Sequence, residues 1–154
     1  MSDARPSSFV VERLRSGDLD RARAHALFTV MAEAFEEERP ELRDAYVDRL
    51  LAREEMWILA ARSGDTVVGG LTAHVLPMTR SESTELFIYD LAVHPDHQRK
   101  GVGRALIGFL RSEGRAAGHG AVFVPADDED THALDFYRAV GGEGAPVTIF
   151  TFEE

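Results

Sequence analysis

From Leu91 to Ile107 the chain reads Leu-Ala-Val-His-Pro-Asp-His-Gln-Arg-Lys-Gly-Val-Gly-Arg-Ala-Leu-Ile. An apolar run, Glu85 to Val93, leads in, and His94-Pro95 ends it. Gly103 to Ala117 follows as a helix, with Ala105, Leu106, Phe109 and Leu110 on one face. A buried strand, a glycine-spaced turn and an amphipathic helix therefore adjoin. Glycine allows the tight path and close approach of a ligand. The free amides of a helix N-terminus and its dipole make an anion site. Arg99, Lys100 and Arg104 add positive charge there, although the chain as a whole carries −10. That local reversal suits a pyrophosphate. The phosphate loop G-x-x-x-x-G-K-[ST] is absent, and the dinucleotide fingerprint needs a third glycine where position 106 is Leu.

The rest of the chain frames this junction. Phe9 to Leu14 predicts a first strand. Asp18 or Asp20 caps a helix to about Phe35, whose apolar positions keep a period near 3.6. Pro40 breaks that helix or opens the next, Glu41 to Ala52. Met56–Ala61 and Thr66–Leu76 form a hairpin around Ser63-Gly64-Asp65. After the junction come a strand at Ala121–Val124, an acidic loop at Asp127–Asp130, a helix at His132–Val140 and a last strand at Val147–Phe152. The order β-α-α-β-β-β-α-β-α-β is mixed α/β, antiparallel in front with a β-α-β unit behind.

The length, 154 residues, suits one domain spanning 1–154. No apolar run approaches the roughly 20 residues of a membrane span, and Met1–Ser8 lacks a signal core, so a cytoplasmic location is expected. No cysteine is present, which excludes disulfides, thiolate metal sites and a cysteine nucleophile. Seventeen Lys and Arg face twenty-seven Asp and Glu. That surface repels nucleic acid and anionic lipid and attracts cations. His94, His97 and His132 lack partners at ligand spacing, so no metal is expected.

Gln98-x-x-Gly101-x-Gly103, preceded by Leu91-Ala92-Val93 and His94-Pro95, resembles the acetyl-CoA motif of the GNAT N-acetyltransferase superfamily. The order of elements matches that fold, an α/β architecture with a mixed, mostly antiparallel sheet splayed at its central strands and helices on both faces. The resemblance implies that backbone amides of Gln98, Arg99, Lys100, Gly101, Val102, Gly103 and Arg104 hold the pyrophosphate of acetyl-CoA. It implies that main-chain groups of Leu91, Ala92 and Val93 pair with the pantetheine arm. A closer resemblance covers Ile58 to about Gly142. Leu71–Pro77, Glu85–Val93, Val124–Asp127 and Phe136-Tyr137 are similar to the small, gentamicin-modifying aminoglycoside 3-N-acetyltransferases. The sequence departs from that pattern at His74, where Tyr is expected, and at Asp128-Glu129, where an aromatic residue and glycine are expected.

Acetyl transfer to an amine needs a base, an oxyanion stabiliser, alignment and an acid for the departing thiolate. By resemblance Tyr137 is the acid. Asp90 and Glu85 are candidate bases, and a base acting through water is a third option. Asp90 is unusual inside the apolar run Ile88–Leu91, where burial would raise its pKa. Strand alternation sets 85 and 90 on opposite faces unless a bulge intervenes. Glu37, Glu38, Asp127 and Asp130 belong to acidic runs that suit a polycationic amine, and His74 faces either the acceptor or the core. The expected acceptor is an aminoglycoside modified at its 3-amino group. The alternatives are a polyamine, another small amine or a protein amine, or acyl-CoA sensing without catalysis. By resemblance a homodimer is expected.

Overall fold

The computed structural model describes residues 8–38 and 40–154. The polar stretch Met1–Ser7, used above in the expectation of location, lies outside the described residues, as does Arg39. One sheet of five strands carries the fold in the order β1-β2-β3-β4-β5. The strands are β1 Val10–Arg13, β2 Met56–Ser63, β3 Thr66–Pro77, β4 Thr84–Val93 and β5 Ala121–Phe123. The first three pairings are antiparallel and β4 with β5 is parallel. The helices are α1 Asp18–Ala34, α2 Asp44–Leu51, α3 Val102–Ala116 and α4 Thr131–Ala139, with a 3₁₀ turn at Pro95–His97.

Two apolar layers sandwich the sheet. On one face Ala24, Leu27, Phe28 and Met31 of α1 and Val47 and Leu51 of α2 pack on Ile58, Ala60 and Ala92. On the other, Val102, Leu106, Ile107 and Leu110 of α3 pack on Leu59, Leu71, Leu86 and Ile88. The strand residues alternate between these layers, as the period of two demands. Close packing accounts for Gly70. A Cβ there would lie 2.3 Å from the Leu59 carbonyl oxygen and 2.5 Å from Leu27.

Several boundaries differ from those expected, for local reasons. Neither Asp18 nor Asp20 caps α1. The cap is Gly17, and both acids sit in the first turn, where they complement the helix dipole. Asp20 also accepts the Arg15 amide at 2.7 Å. The second helix opens at Asp44 rather than Glu41, with Arg43 as its cap in extended conformation. Gly118, at φ 90°, ends the third helix as expected. The expected last strand at Val147–Phe152 is not formed. Val147, Ile149, Phe150 and Phe152 are 71–88% exposed and the segment pairs with nothing in its own sheet. Its apolar and β-branched residues have the propensity of a strand, but the segment does not pair with the β5 edge of the sheet.

Candidate active site

The parallel pairing of β4 with β5 spans only Glu85–Phe87 against Ala121–Phe123. Beyond Phe87 the strands part, and a groove of about 530 Å³ opens at the divergence. Leu91 and Val93 of β4 form one wall and Ala133, Phe136 and Tyr137 of α4 the other, with the α3 turn at the end. Ala92 faces the opposite layer and is buried there, so only its main chain is available to the groove.

The turn is built by its own residues. The His94 ring nitrogen Nδ1 accepts the Asp96 amide at 3.2 Å, and the 3₁₀ turn carries the chain past the strand end. The Gln98 side-chain amide donates to the Val93 carbonyl at 3.1 Å. Gln98 thus braces the end of the splayed strand. Arg99 (φ 61°) and Gly101 (φ 85°) both occupy the left-handed region. Gly101 caps α3 in open space, so its requirement is conformational. The first intrahelical bond runs from the Ala105 amide to the Gly101 carbonyl. The amides of Val102, Gly103 and Arg104 therefore precede any intrahelical acceptor and point out of the helix end. Gly103 serves packing, since a Cβ there would lie 2.9 Å from the Phe136 ring. Arg99 and Lys100 are exposed at the rim. Arg104 lines the groove and donates to the Ala139 carbonyl at 3.0 Å, tying α3 to the end of α4. Left-handed turn, free amides and close-packed glycine together fit a pyrophosphate.

Tyr137 enters the groove from α4. Burial, and then the nearby Asp130 carboxylate, push its phenol above the ordinary value. No hydrogen bond among the described residues engages its hydroxyl. Asp130 is the α4 cap, accepting the Ala133 amide at 3.0 Å, and Asp127 accepts the Glu129 amide at 3.0 Å. Both of these expected substrate ligands therefore hold loop structure, and only Asp130 lines the groove.

Asp90 stands on the other side of β4. The β3–β4 register shifts between Thr72↔Asp90 and Ala73↔Ile88, which leaves Tyr89 unpaired. Leu86 and Ile88 before this bulge, and Leu91 and Val93 after it, belong to the α3 layer. Glu85, Phe87 and Asp90 consequently share the α1/α2 face. Four residues of strand still lie between Glu85 and Asp90, a separation of roughly 13–16 Å, and Glu85 lies where β4 and β5 are paired. The two cannot act on one carbon. Burial, then the Glu37 charge, hold the Asp90 carboxyl above the ordinary range, against a smaller opposing effect of His74. Glu37 and His74 are thus near enough for their charges to act on Asp90, and Glu38 is exposed. His74 lies on the Asp90 face of the sheet, pairing with Phe87 in register and standing edge-on to Tyr89 at 5.8 Å.

Sequence reasoning missed His97, His132 and Phe136 as groove residues. It also missed the aromatic row His74–Tyr89–Phe87–Phe123, with neighbouring ring centroids 5.1–6.0 Å apart. Strand alternation across the bulge would have signalled that row only had the bulge been visible. No group of three metal-ligating side chains occurs among the described residues, and no helix among them is long and apolar enough to cross a membrane.

Known proteins are similar to this chain in sequence and in fold. An uncharacterized protein of Mycobacterium leprae is 30% identical over 141 residues, 92% of this chain, although the chain spans only 38% of that protein's length. The N-alpha-acetyltransferase RimI of Mycobacterium tuberculosis is 31% identical over 84% of this chain and 78% of its own. The crystal structure of an aminoglycoside acetyltransferase from an uncultured soil metagenomic sample, in complex with sisomicin, superposes with a TM-score of 0.88 at 31% identity. That superposition covers 96% of this chain and 97% of the other. The acetyltransferase (GNAT) family model matches residues 23–141, which hold the splayed strand, the glycine turn and the α4 tyrosine. With that match over most of its length, the chain belongs to the GNAT family of acetyltransferases.

Proposed function

We propose that the protein transfers an acetyl group from acetyl-CoA directly to an amino group of an aminoglycoside, at the 3-amino position, and so confers resistance. The observation that carries this reading is the pairing of an anion-binding turn with a carboxylate cluster on opposite sides of one strand. Arg99–Arg104 and the free α3 amides form the turn, and Asp90 and Glu37 form the cluster. The sisomicin complex of a relative at 31% identity supports it, as does the net charge of −10.

Acetyl-CoA bound at the turn supplies the acetyl group as a reactive thioester. The α3 amides take the pyrophosphate, and the main chain of Leu91 and Val93, past the last β5 pairing at Phe87, holds the extended arm. The Asp90 carboxylate receives the proton of the acceptor ammonium, which has no lone pair until it is lost. A carboxyl raised above its usual range is the stronger base for that transfer. Glu37 adds a second negative charge toward a polycation. As the N–C bond forms and the C–S bond breaks, the Tyr137 hydroxyl, held protonated by burial, gives its proton to the departing sulfur, and the second proton lost by the acylated nitrogen restores the phenol. Glu85 has no part in this scheme.

The RimI relative favours a second reading, acetylation of a protein amine. Thiol release from acetyl-CoA is to be measured with gentamicin, spermidine and a peptide bearing a free N-terminus. Turnover highest with gentamicin, and a product carrying the acetyl group on the 3-amino nitrogen by NMR, is expected. Turnover with the peptide alone replaces the antibiotic by a protein acceptor.

A further inference from the structure

The Asp90 face of the sheet carries a row of aromatic rings to which the transfer scheme gives no part. His74, Phe87 and Phe123 stand side by side on β3, β4 and β5, since His74 pairs with Phe87 and Phe87 with Phe123 in register. Their strand neighbours Ala73, Leu86, Ile88, Val122 and Val124 pack in the α3 layer. Alternation therefore turns the row to the opposite face. Tyr89, the unpaired residue of the bulge, joins it. Its ring stands edge-on to His74 at 5.8 Å and to Phe87 at 6.0 Å. The rings of Phe87 and Phe123 are tilted at 5.1 Å.

These rings are not core. The layer formed by α1 and α2 covers Ile58, Ala60 and Ala92, and none of the four rings belongs to it. Tyr89 is 65% exposed and Phe123 42%. A single exposed apolar side chain needs no account, but a contiguous row does. Carboxylates frame one end of it. Asp90 follows Tyr89 directly, and the end of α1 brings Glu37 close enough to act on Asp90. There Glu36 is left-handed at φ 53°, and the Glu37 amide bonds the Ala32 carbonyl at 2.9 Å. The last β5 pairing is at Phe87, so Tyr89 and Asp90 stand where the sheet is open between its strands. An aromatic floor ending in carboxylates fits an occupant that is both apolar-faced and cationic. A saturated ring bearing ammonium groups is both. Its C–H bonds, slightly positive, meet the negative faces of the rings, and its ammonium groups meet the carboxylates or lie over a ring. An open-chain polyamine brings the charge without the face.

We propose that the row His74–Tyr89–Phe87–Phe123 is a platform that selects acceptors whose amines are carried on saturated rings, with Tyr89 as the positioning residue that sets a ring amine against Asp90. The platform rests on the proposed transfer to an aminoglycoside and specifies how that acceptor is told from a linear amine. The bulge serves it directly, because the extra residue holds the Tyr89 ring beside the carboxylate. Phe87 and Phe123 extend the floor toward β5 and take a second ring of the same acceptor, and His74 bounds it on β3.

The test compares gentamicin with spermidine on the full chain. Both exposed rings can be removed without opening a core cavity. Tyr89→Ala and Phe123→Ala should each raise the KM for gentamicin roughly 3–30-fold with kcat changed less than about twofold. The ratio of kcat/KM for gentamicin to that for spermidine should fall by a similar factor. Tyr89→Phe keeps the ring and should restore the gentamicin KM. Calorimetric titration of the protein–CoA complex with gentamicin reads the platform without turnover, and Tyr89→Ala should weaken that binding by the same factor. Gentamicin KM and affinity unchanged in both alanine variants overturn the platform and leave the transfer standing. So does a loss confined to kcat, or an equal loss for gentamicin and spermidine. Gentamicin that binds through Tyr89 and is not acetylated overturns the transfer and keeps the platform. Gentamicin that does not bind the wild-type protein overturns both.

Discussion

Gly101 and Gly103 sit two residues apart in one motif, yet the structure gives them different duties, and substitution by alanine separates these. At Gly101 a Cβ meets nothing within 4 Å, but φ is 85°. An alanine there costs about 1–2 kcal/mol for the left-handed conformation. At Gly103 the backbone is helical, so alanine gains up to about 1 kcal/mol of propensity. Against this, its Cβ lies 2.9 Å from Cζ and 3.0 Å from Cε2 of Phe136. Forcing that ring aside costs about 1–3 kcal/mol. Both single variants should therefore lose stability, by about 1–2 and about 0–2 kcal/mol respectively. For a domain of this size each kcal/mol lowers Tm by about 2–4 °C. The distinguishing measurement is a double-mutant cycle with Phe136→Leu, read by urea denaturation. Gly103→Ala should couple to it by about 1 kcal/mol, since the shorter side chain removes the clash. Gly101→Ala should be additive with it. Coupling of Phe136→Leu to Gly101→Ala, or none to Gly103→Ala, would refute the division of labour.

Other outcomes follow from the same geometry. Asp90→Asn should lower kcat about 10²–10⁴-fold and abolish the acid limb of the kcat/KM profile, which lies above the ordinary carboxylate range. A carboxyl raised in the folded state contributes stability below its unfolded value and loses it as pH rises through the folded one, so Asp90→Asn should be more resistant to urea at neutral pH. Glu37→Gln removes a charge that raises Asp90, and it should move that acid limb to lower pH. Tyr137→Phe should cut kcat about 10²–10⁴-fold with acetyl-CoA affinity by calorimetry nearly unchanged. Because burial raises the phenol, the wild-type rate should not fall with its deprotonation below about pH 10. Gly70→Ala drives a Cβ against the Leu59 carbonyl and Leu27. Since neither backbone nor packed core can yield cheaply, it should cost about 3 kcal/mol or more, measured by the same denaturation.

Much of the fold was legible because its signals are local. Glu85–Val93 reads as a strand from its apolar content, and Gly118 as a helix stop from its place after Ala117. The turn was legible for the same reason, as glycine spacing reports a backbone need directly. The α1 cap was misread because two acids near a helix start look like caps, while the position went to Gly17. Asp130 carries a duty that its place in an acidic run does not reveal, the capping of α4 through Oδ1. Val147–Phe152 has strand sequence without strand structure, because pairing depends on an edge that no local pattern encodes.

The position of the candidate base depends on one unpaired residue. Without the bulge at Tyr89, Asp90 would keep the parity of Leu86 and Ile88 and point into the α3 layer among Leu106, Leu110 and Val102. A carboxylate there would need a buried cation, and no Lys or Arg is buried among the described residues. The extra residue turns Asp90 to the face where Glu37 and His74 stand, and it leaves Leu91 and Val93 on the groove side. It therefore makes the two halves of the site compatible, with a carboxylate on one side of β4 and the anion-binding groove on the other. A bulge is invisible to periodicity, since it breaks the period on which such reading depends. The contradiction it resolves was visible all the same, as an aspartate set within Ile-Tyr-Asp-Leu, at a parity that a regular strand would have buried unpaired.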